Sequence, residues 1–314
     1  MPDTLARVPT PQMQAILERL MREDAGLPDP TTLPSAEGRA LAERTNRRWN
    51  GDLPAMAEAR DVGLAPGVAG RVLVPTNDEG EGAILFIHGG GWAFCSMQTH
   101  ERAARLLAIE ARAPVVTFDF RLAPEHPYPE GLEDCLAAWH SFGSIFPDRR
   151  LAMAGDSAGA NLAVAAMLRL QTEWGRAPDT GLLFYGVYDD DFDSPSYRLH
   201  ADGPGLTRAK MRRYWDWYQP VRARRSDPLV SPLKASDRAL SALPPLYLNA
   251  AGIDPLRSDS ERFHARLSSL GRRDSLRIFG GVVHGFMQMS NVLADALTAT
   301  QEAGEAFRKV VNAE

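Results

Sequence analysis

Apolar positions recur at helical spacing through the first fifty residues and in short strand-like runs beyond them. Between Pro11 and Asp24, Met13, Leu17, Leu20 and Met21 fall on one side of a helix, and Ser35 to Trp49 shows the same patterning with no strand between the two. Proline and aspartate residues from Leu27 to Pro34 mark the break. Two amphipathic helices are therefore expected ahead of the main fold, with a face that must cover something.

From about Glu58 the pattern changes to short apolar runs alternating with longer helical stretches, which predicts an α/β fold with a largely parallel sheet flanked by helices. Strands are expected at 71–74, 83–88, 113–119, 151–154, 182–187, 246–250 and 275–279, with an edge strand near 57–64. Helices are expected at 100–111, 132–142, 158–173, 259–270 and 291–311. The interval from Asp189 to Leu243 is too long for one connection and holds a single strongly helical stretch, Leu206 to Tyr218, so it reads as an insertion. The expected division is an N-terminal helical cap segment, 1–55, a catalytic domain of 56–188 plus 244–314, and a cap insertion, 189–243.

Composition adds bounds rather than detail. A chain of 314 residues with 44% hydrophobic and 24% charged residues is of the ordinary globular kind, not disordered or fibrous. A net charge of −5 leaves no electrostatic footprint for nucleic acid, and the run Arg222, Arg224, Arg225 reads as a solvated face. Cys95 and Cys135 are too few for a disulfide framework or metal cluster and read as buried small hydrophobes. No apolar run approaches membrane-spanning length and the first residues lack a secretory stretch, so a cytoplasmic protein is the expectation.

Candidate chemistry begins with Gly155-Asp156-Ser157-Ala158-Gly159, placed where a strand ends and a helix begins. The bare five-residue pattern arises by chance, but this setting lifts a serine onto a sharp turn, where flanking glycines permit close approach of strand and helix. Ser157 is the expected nucleophile, with the N–H of Ala158 at the positive end of the following helix. A second strand leads into His88-Gly89-Gly90-Gly91-Trp92. Glycine costs conformational entropy in a loop, so three in succession point to a backbone bent toward a ligand, and Gly89 and Gly90 are the expected oxyanion donors beside Ala158.

Of seven histidines, His284 sits best as base, in a glycine-flanked loop just after the last strand. His264, His100, His140 and His200 read as ordinary partly exposed residues, and His88 and His126 as backbone-holding groups beside motif loops. If the order nucleophile, acid, base of one large class of parallel-sheet hydrolases applies, the acid is Asp254, at the end of a strand running into a loop. Asp259 is the rival, expected instead to cap or charge the start of the next helix.

These residues resemble the hormone-sensitive-lipase-like carboxylesterases of the α/β-hydrolase fold. His88-Gly-Gly-Gly-Trp92, Gly155-Asp-Ser-Ala-Gly159 with Asn161, Asp254-Pro-Leu256 and His284-Gly-Phe286 are similar to that family's signatures and stand in its order, from about Gly82 to Phe286. The stretch Asp119 to Pro129 resembles its structural loop, with Phe120 where tyrosine is usual. Arg121, Glu125 and Asp134 are expected to give that region ion-paired support.

The resemblance implies a mostly parallel sheet of about eight strands with a helical cap, and hydrolysis of short-chain acyl esters through an acyl-enzyme. It also implies a homodimer built through the last strand and helix. No metal or organic cofactor is expected, and Asp189-Asp190-Asp191 lacks the spacing of a calcium loop and reads as a solvated turn. The expected partner is a small ester, with no nucleic acid and no membrane. Substrate choice should rest with the cap; Tyr214, Trp215, Trp217 and Tyr218 cannot share one helical face, so some must pack on the core. Trp92, Tyr214, Trp215 and Phe286 are the expected substrate contacts. An amide or formamide hydrolase with the same triad is the nearest alternative, and a non-catalytic receptor on the same fold a remote one.

Overall fold

The computed structural model describes residues 8–173 and 176–313; the first seven residues of the expected cap segment and Glu314 lie outside them. Eight strands form one sheet among the described residues: β1 (Glu58–Ala65), β2 (Val68–Val74), β3 (Gly82–Ile87), β4 (Val115–Phe118), β5 (Arg150–Asp156), β6 (Thr180–Phe184), β7 (Leu246–Ile253) and β8 (Ser275–Val283). Their order is β1-β2-β4-β3-β5-β6-β7-β8. β1 and β2 are an antiparallel hairpin at one edge, β2 pairs antiparallel with β4, and every later pairing is parallel. The central strands β3, β4 and β6 are buried at every position, as expected when both faces carry helices.

The helices are α1 (Pro11–Glu23), α2 (Ser35–Asn46), α3 (Glu101–Ala111), α4 (Glu130–Ile145), α5 (Ala158–Leu170), α6 (Pro195–Leu199), α7 (Arg208–Tyr218), α8 (Asp237–Ser241), α9 (Arg257–Ser269) and α10 (Ala294–Val311). One core joins α4, α5 and α9 to one face of the sheet, through residues such as Trp139, Val164 and Phe263. The other joins α3 and α10 to the opposite face, with Met13 and Ile16 of α1 added to it. α5 shows no polar stripe, because all its residues but Arg169 are buried; its alanine and leucine content keeps it helical while it fills the centre of the molecule.

The long connection between β6 and β7 contains α6, α7, α8 and two 3₁₀ turns rather than one helix alone. Only α7 has enough apolar periodicity to be read from the chain, since the shorter pieces are single turns stopped by proline and glycine. Arg225 departs from the solvated face expected of its run. It is buried at 3% exposure, donates from Nε to the Gln219 carbonyl and from Nη2 to Asp216, and lies 5.8 Å over the Trp215 ring. Asp189 likewise is buried and paired with Lys234 and Arg262, so only its neighbours Asp190 and Asp191 face solvent to any degree.

Candidate active site

Parallel strands deliver their carboxyl ends to one rim, and the candidate chemistry gathers there. Ser157 follows β5 with φ 55° and ψ −119°, a backbone that side-chain-bearing residues rarely adopt. Its neighbours leave no choice about size. A Cβ on Gly155 would lie 2.4 Å from the Gly159 carbonyl oxygen, and one on Gly159 would lie 2.0 Å from that of Ile87. Strand and helix therefore close on each other and push the Ser157 hydroxyl outward.

Asp254 follows β7 and His284 follows β8, adjacent strands that bring together residues thirty positions apart. His284 Nε2 stands 2.9 Å from Ser157 Oγ, and Nδ1 stands 2.7 Å from Asp254 Oδ2. Asp254 is fully buried, and its other oxygen accepts the Leu256 N–H at 2.8 Å, which fixes the carboxylate. An ionised carboxylate only accepts, so the imidazole carries its proton on Nδ1 and offers Nε2 as acceptor to the serine hydroxyl.

Asp259, the rival acid, has no bond to His284; it stands in the first turn of α9, as expected, but its carboxyl is turned to another element instead of capping that helix. Buried in α9, its Oδ2 accepts the N–H groups of Tyr188 and Asp189 at 2.8 and 3.1 Å, so it fastens the exit of β6. Burial pushes its carboxyl up to about 8.

The glycine loop corrects one expectation. The Gly89 N–H donates to Asp156 Oδ1 at 2.8 Å and is not free for a ligand. Gly90 and Gly91 follow at φ 110° and 60°, and their N–H groups, like that of Ala158, have no acceptor among the described residues. Three unspent donors thus surround Ser157, with Gly91 in the place expected of Gly89.

His100 is not an ordinary exposed histidine either: at 2% exposure its Nε2 lies 3.4 Å from Asp156 Oδ1. Burial alone would raise the Asp156 carboxyl, but the charge and hydrogen bond of His100, with His88 and the Gly89 N–H, hold it below the usual carboxylate value. Burial, with His100 nearby, pulls the His88 imidazole down to about 4. His88 bonds the Gly89 carbonyl through Nδ1, as its expected holding role requires, and its ring stacks on Phe120 at 4.5 Å. The ring of Phe120 therefore performs packing for which no hydroxyl is needed. His200 is also buried, whereas His126 and His140 are exposed and His264 is half-buried against the Asp274 carbonyl.

A cavity of about 200 Å³ opens above Ser157. Its floor is Gly90, Gly91, Asp156, Ala158 and His284; its roof comes from Asn46 and Trp49 on one side and Leu206, Met211 and Tyr214 on the other. Cys95 lies in its wall, half-buried, unlike the fully buried Cys135. Of the four expected substrate contacts, Trp92 and Tyr214 line the cavity. Trp215 does not; it is fully buried with its ring 5.2 Å from Trp92. Phe286 does not either, because the chain turns at Gly285 (φ 75°) and sends the ring into the core against Tyr185 and Phe279. Met211 and Leu206 were not singled out in the chain: Met211, one helical turn from Trp215, reads as core, and Leu206 precedes α7 among glycine and proline with no pattern to mark it.

Arginines fasten the roof. Arg39 of α2 donates to the Ala93 and Ala123 carbonyls at 2.9 and 2.8 Å and pairs with Glu125, while Arg213 of α7 donates to the Thr31 carbonyl. Arg121 grips Asp134 with both Nε and Nη2, below the same loop.

A catalytic-looking serine, histidine and aspartate on the rim of an eight-stranded, mostly parallel sheet define an α/β hydrolase. A family model described as alpha/beta hydrolase fold matches residues 84–288. Carboxylesterase NlhH of Mycobacterium tuberculosis is 35% identical over 237 residues, covering 73% of this chain and 74% of that protein. The acetyl esterase of Salmonella paratyphi B is 30% identical over 279 residues, covering 85% and 84%. Among solved structures, the ester-hydrolase EH1AB1 from the metagenome of Lake Arreo superposes with a TM-score of 0.90 at 30% identity, over 98% of this chain and all of that one. The chain belongs to the α/β-hydrolase fold family, in its hormone-sensitive-lipase-like group. Among the described residues no helix is long and apolar enough to cross a membrane.

Proposed function

We propose that the protein is a serine carboxylesterase that hydrolyses short-chain acyl esters, with Ser157 as nucleophile, His284 as base and Asp254 as the group that orients the base. The observation that carries the reading is the continuous hydrogen-bonded line from Asp254 through His284 to Ser157, at 2.7 and 2.9 Å, beside three unspent backbone donors.

As Ser157 Oγ bonds to the ester carbonyl carbon, its proton passes to His284 Nε2, and the imidazolium is stabilised by Asp254. The carbonyl oxygen becomes an oxyanion and accepts from the N–H groups of Gly90, Gly91 and Ala158, at the positive end of α5. When the carbon–oxygen bond to the alcohol breaks, His284 returns the proton to the departing oxygen, leaving Ser157 acylated. A water then loses its proton to His284, attacks the acyl carbon and releases the acid, and Ser157 recovers its proton. The scheme uses neither metal nor organic cofactor.

Relatives named for esterase activity favour esters over amides. The receptor reading is opposed by a base already bonded to its serine. A cavity of about 200 Å³ under a partly aromatic roof supports a small acyl group. The cap boundaries 1–55 and 189–243, a cytoplasmic setting and a homodimer complete the reading.

Fluorophosphonate labelling followed by peptide mass spectrometry tests it. Label is expected on Ser157 alone, and label elsewhere would sink the assignment. A chain-length series of aryl esters, run beside anilides and formamides, should show turnover falling as the acyl chain lengthens and little turnover of the amides.

A further inference from the structure

The arginine run that departs from a solvated face ends a longer basic stretch. Seven of the 35 lysines and arginines, but only one of the 40 acidic residues, fall between positions 207 and 226, so positive charge gathers on α7 and the turn after it in a chain of net charge −5. Within that stretch a cavity of about 280 Å³ is lined by Asp190, Phe192, Arg212, Asp216, Arg222 and Arg225. None of these residues lines the catalytic cavity.

The charges in this lining are unevenly spent. Asp190 pairs with Lys234 and Asp216 with Arg225, each at 2.6 Å, so both carboxylates already have a cation. Arg212 and Arg222 have no hydrogen bond or ion pair among the described residues, and Nη1 of the buried Arg225 has no acceptor there. Aromatic faces support two of the three guanidiniums, Arg212 at 5.4 Å from the Phe192 centroid and Arg225 over Trp215. A guanidinium laid on a ring keeps its N–H edges for an acceptor, and that fork matches the paired oxygens of an oxyanion. Like charges gathered in one cleft repel, and a bound anion relieves them.

We infer that this cleft is an oxyanion site that takes the phosphate group of a small molecule, held by Arg212, Arg222 and Arg225. Three guanidiniums suit a group with three terminal oxygens better than a carboxylate with two. α7 joins the cleft to the ester site, because Arg212 and Asp216 line the one while Met211 and Tyr214 line the other. An anion that draws Arg212 toward Arg222 and Arg225 steadies that helix, so its effect falls on the fit of the ester rather than on the chemical step. This effect rests on the catalytic reading above; the binding does not.

Calorimetric titration and thermal unfolding with inorganic phosphate, against sodium chloride at equal ionic strength, test the site in the parent, Arg222→Gln and Arg224→Gln. Arg222 and Arg224 are both exposed, but Arg224 lies outside the cleft. The parent should bind phosphate with a Kd of about 1 mM and unfold about 2 °C higher at tenfold that concentration. Arg222→Gln should bind about tenfold more weakly, while Arg224→Gln should stay within about twofold of the parent. No saturable heat in the parent, an unchanged affinity in Arg222→Gln, or an equal loss in Arg224→Gln, the mark of a diffuse basic surface, overturns the site.

Ester kinetics test the link through α7. At saturating phosphate, KM for a short aryl ester should fall about twofold to threefold with kcat held, and Arg222→Gln should lose that response. A KM that phosphate does not move overturns the link. Absence of any ester turnover would remove the catalytic reading, and the link with it, while phosphate binding stood.

Discussion

The floor and the roof of the cavity are held by different forces. Below, Ser157 and Gly90 are set by backbone against backbone: the Ser157 N–H donates to the Phe184 carbonyl, and a Cβ on Gly90 or on Gly159 would stand only 2.1 or 2.0 Å from a carbonyl oxygen. Above, α2 and α7 are set by long side chains reaching across to carbonyls, as Arg39 and Arg213 do. Close-packed backbone has no soft direction, whereas a half-exposed guanidinium on a flexible stem gives way at modest cost. On the function proposed above, the chemistry falls to the stiff part and substrate choice to the yielding one.

That contrast can be broken most sharply on the floor. Asp254→Asn should reduce kcat about ten-thousandfold by stranding the wrong imidazole tautomer, while Asp259→Asn should stay within about fivefold of the parent; steady-state ester kinetics decide it. Gly159→Ala comes next. Its methyl meets main chain that cannot move aside, so denaturant titration should show a loss of about 3 kcal/mol or more, the scale of severe overpacking.

A third expectation concerns the joint between the two regions. Burial raises the Asp259 carboxyl from an ordinary 3.8 to about 8, so the folded state holds this proton more tightly than the unfolded one. Its contribution to stability is complete below about pH 4 and is withdrawn as pH rises through about 8. The melting temperature should therefore fall between pH 6 and 9 more steeply in the parent than in Asp259→Asn; equal slopes would refute this. The smallest effect belongs to the roof. Arg39→Ala should cost about 1–2 kcal/mol for its two carbonyl bonds and raise KM a few-fold while kcat holds; a collapse of kcat would mean that the roof is part of the machinery.

All eight strands were legible in the chain: the central ones because strands buried on both faces become unbroken apolar runs, and the edge strands β1 and β8, which expose much of their length, because they flank that alternation of runs and helices. Ser157, Asp254 and His284 were legible because each sits where such a run stops. What the chain hid are matters of direction. Gly89 and Gly91 look alike in a row of three, and only Asp156, brought in from another strand, consumes the first N–H. Phe286 and Trp215 lie beside site residues in sequence yet point into the core. Tyr185 carries no motif at all, and only the strand geometry sets its ring against His284.

The fastening of the roof has a consequence for how such proteins diversify. Arg39 and Arg213 grip main-chain oxygens, of Ala93, Ala123 and Thr31, and every residue type supplies such an oxygen. Lineages can therefore exchange the side chains at positions 46, 49, 206, 211 and 214 that shape the cavity without unfastening the elements that carry them. Attachment can thus be kept while the lining is varied, which makes those five positions the economical ones to randomise when a new ester is wanted.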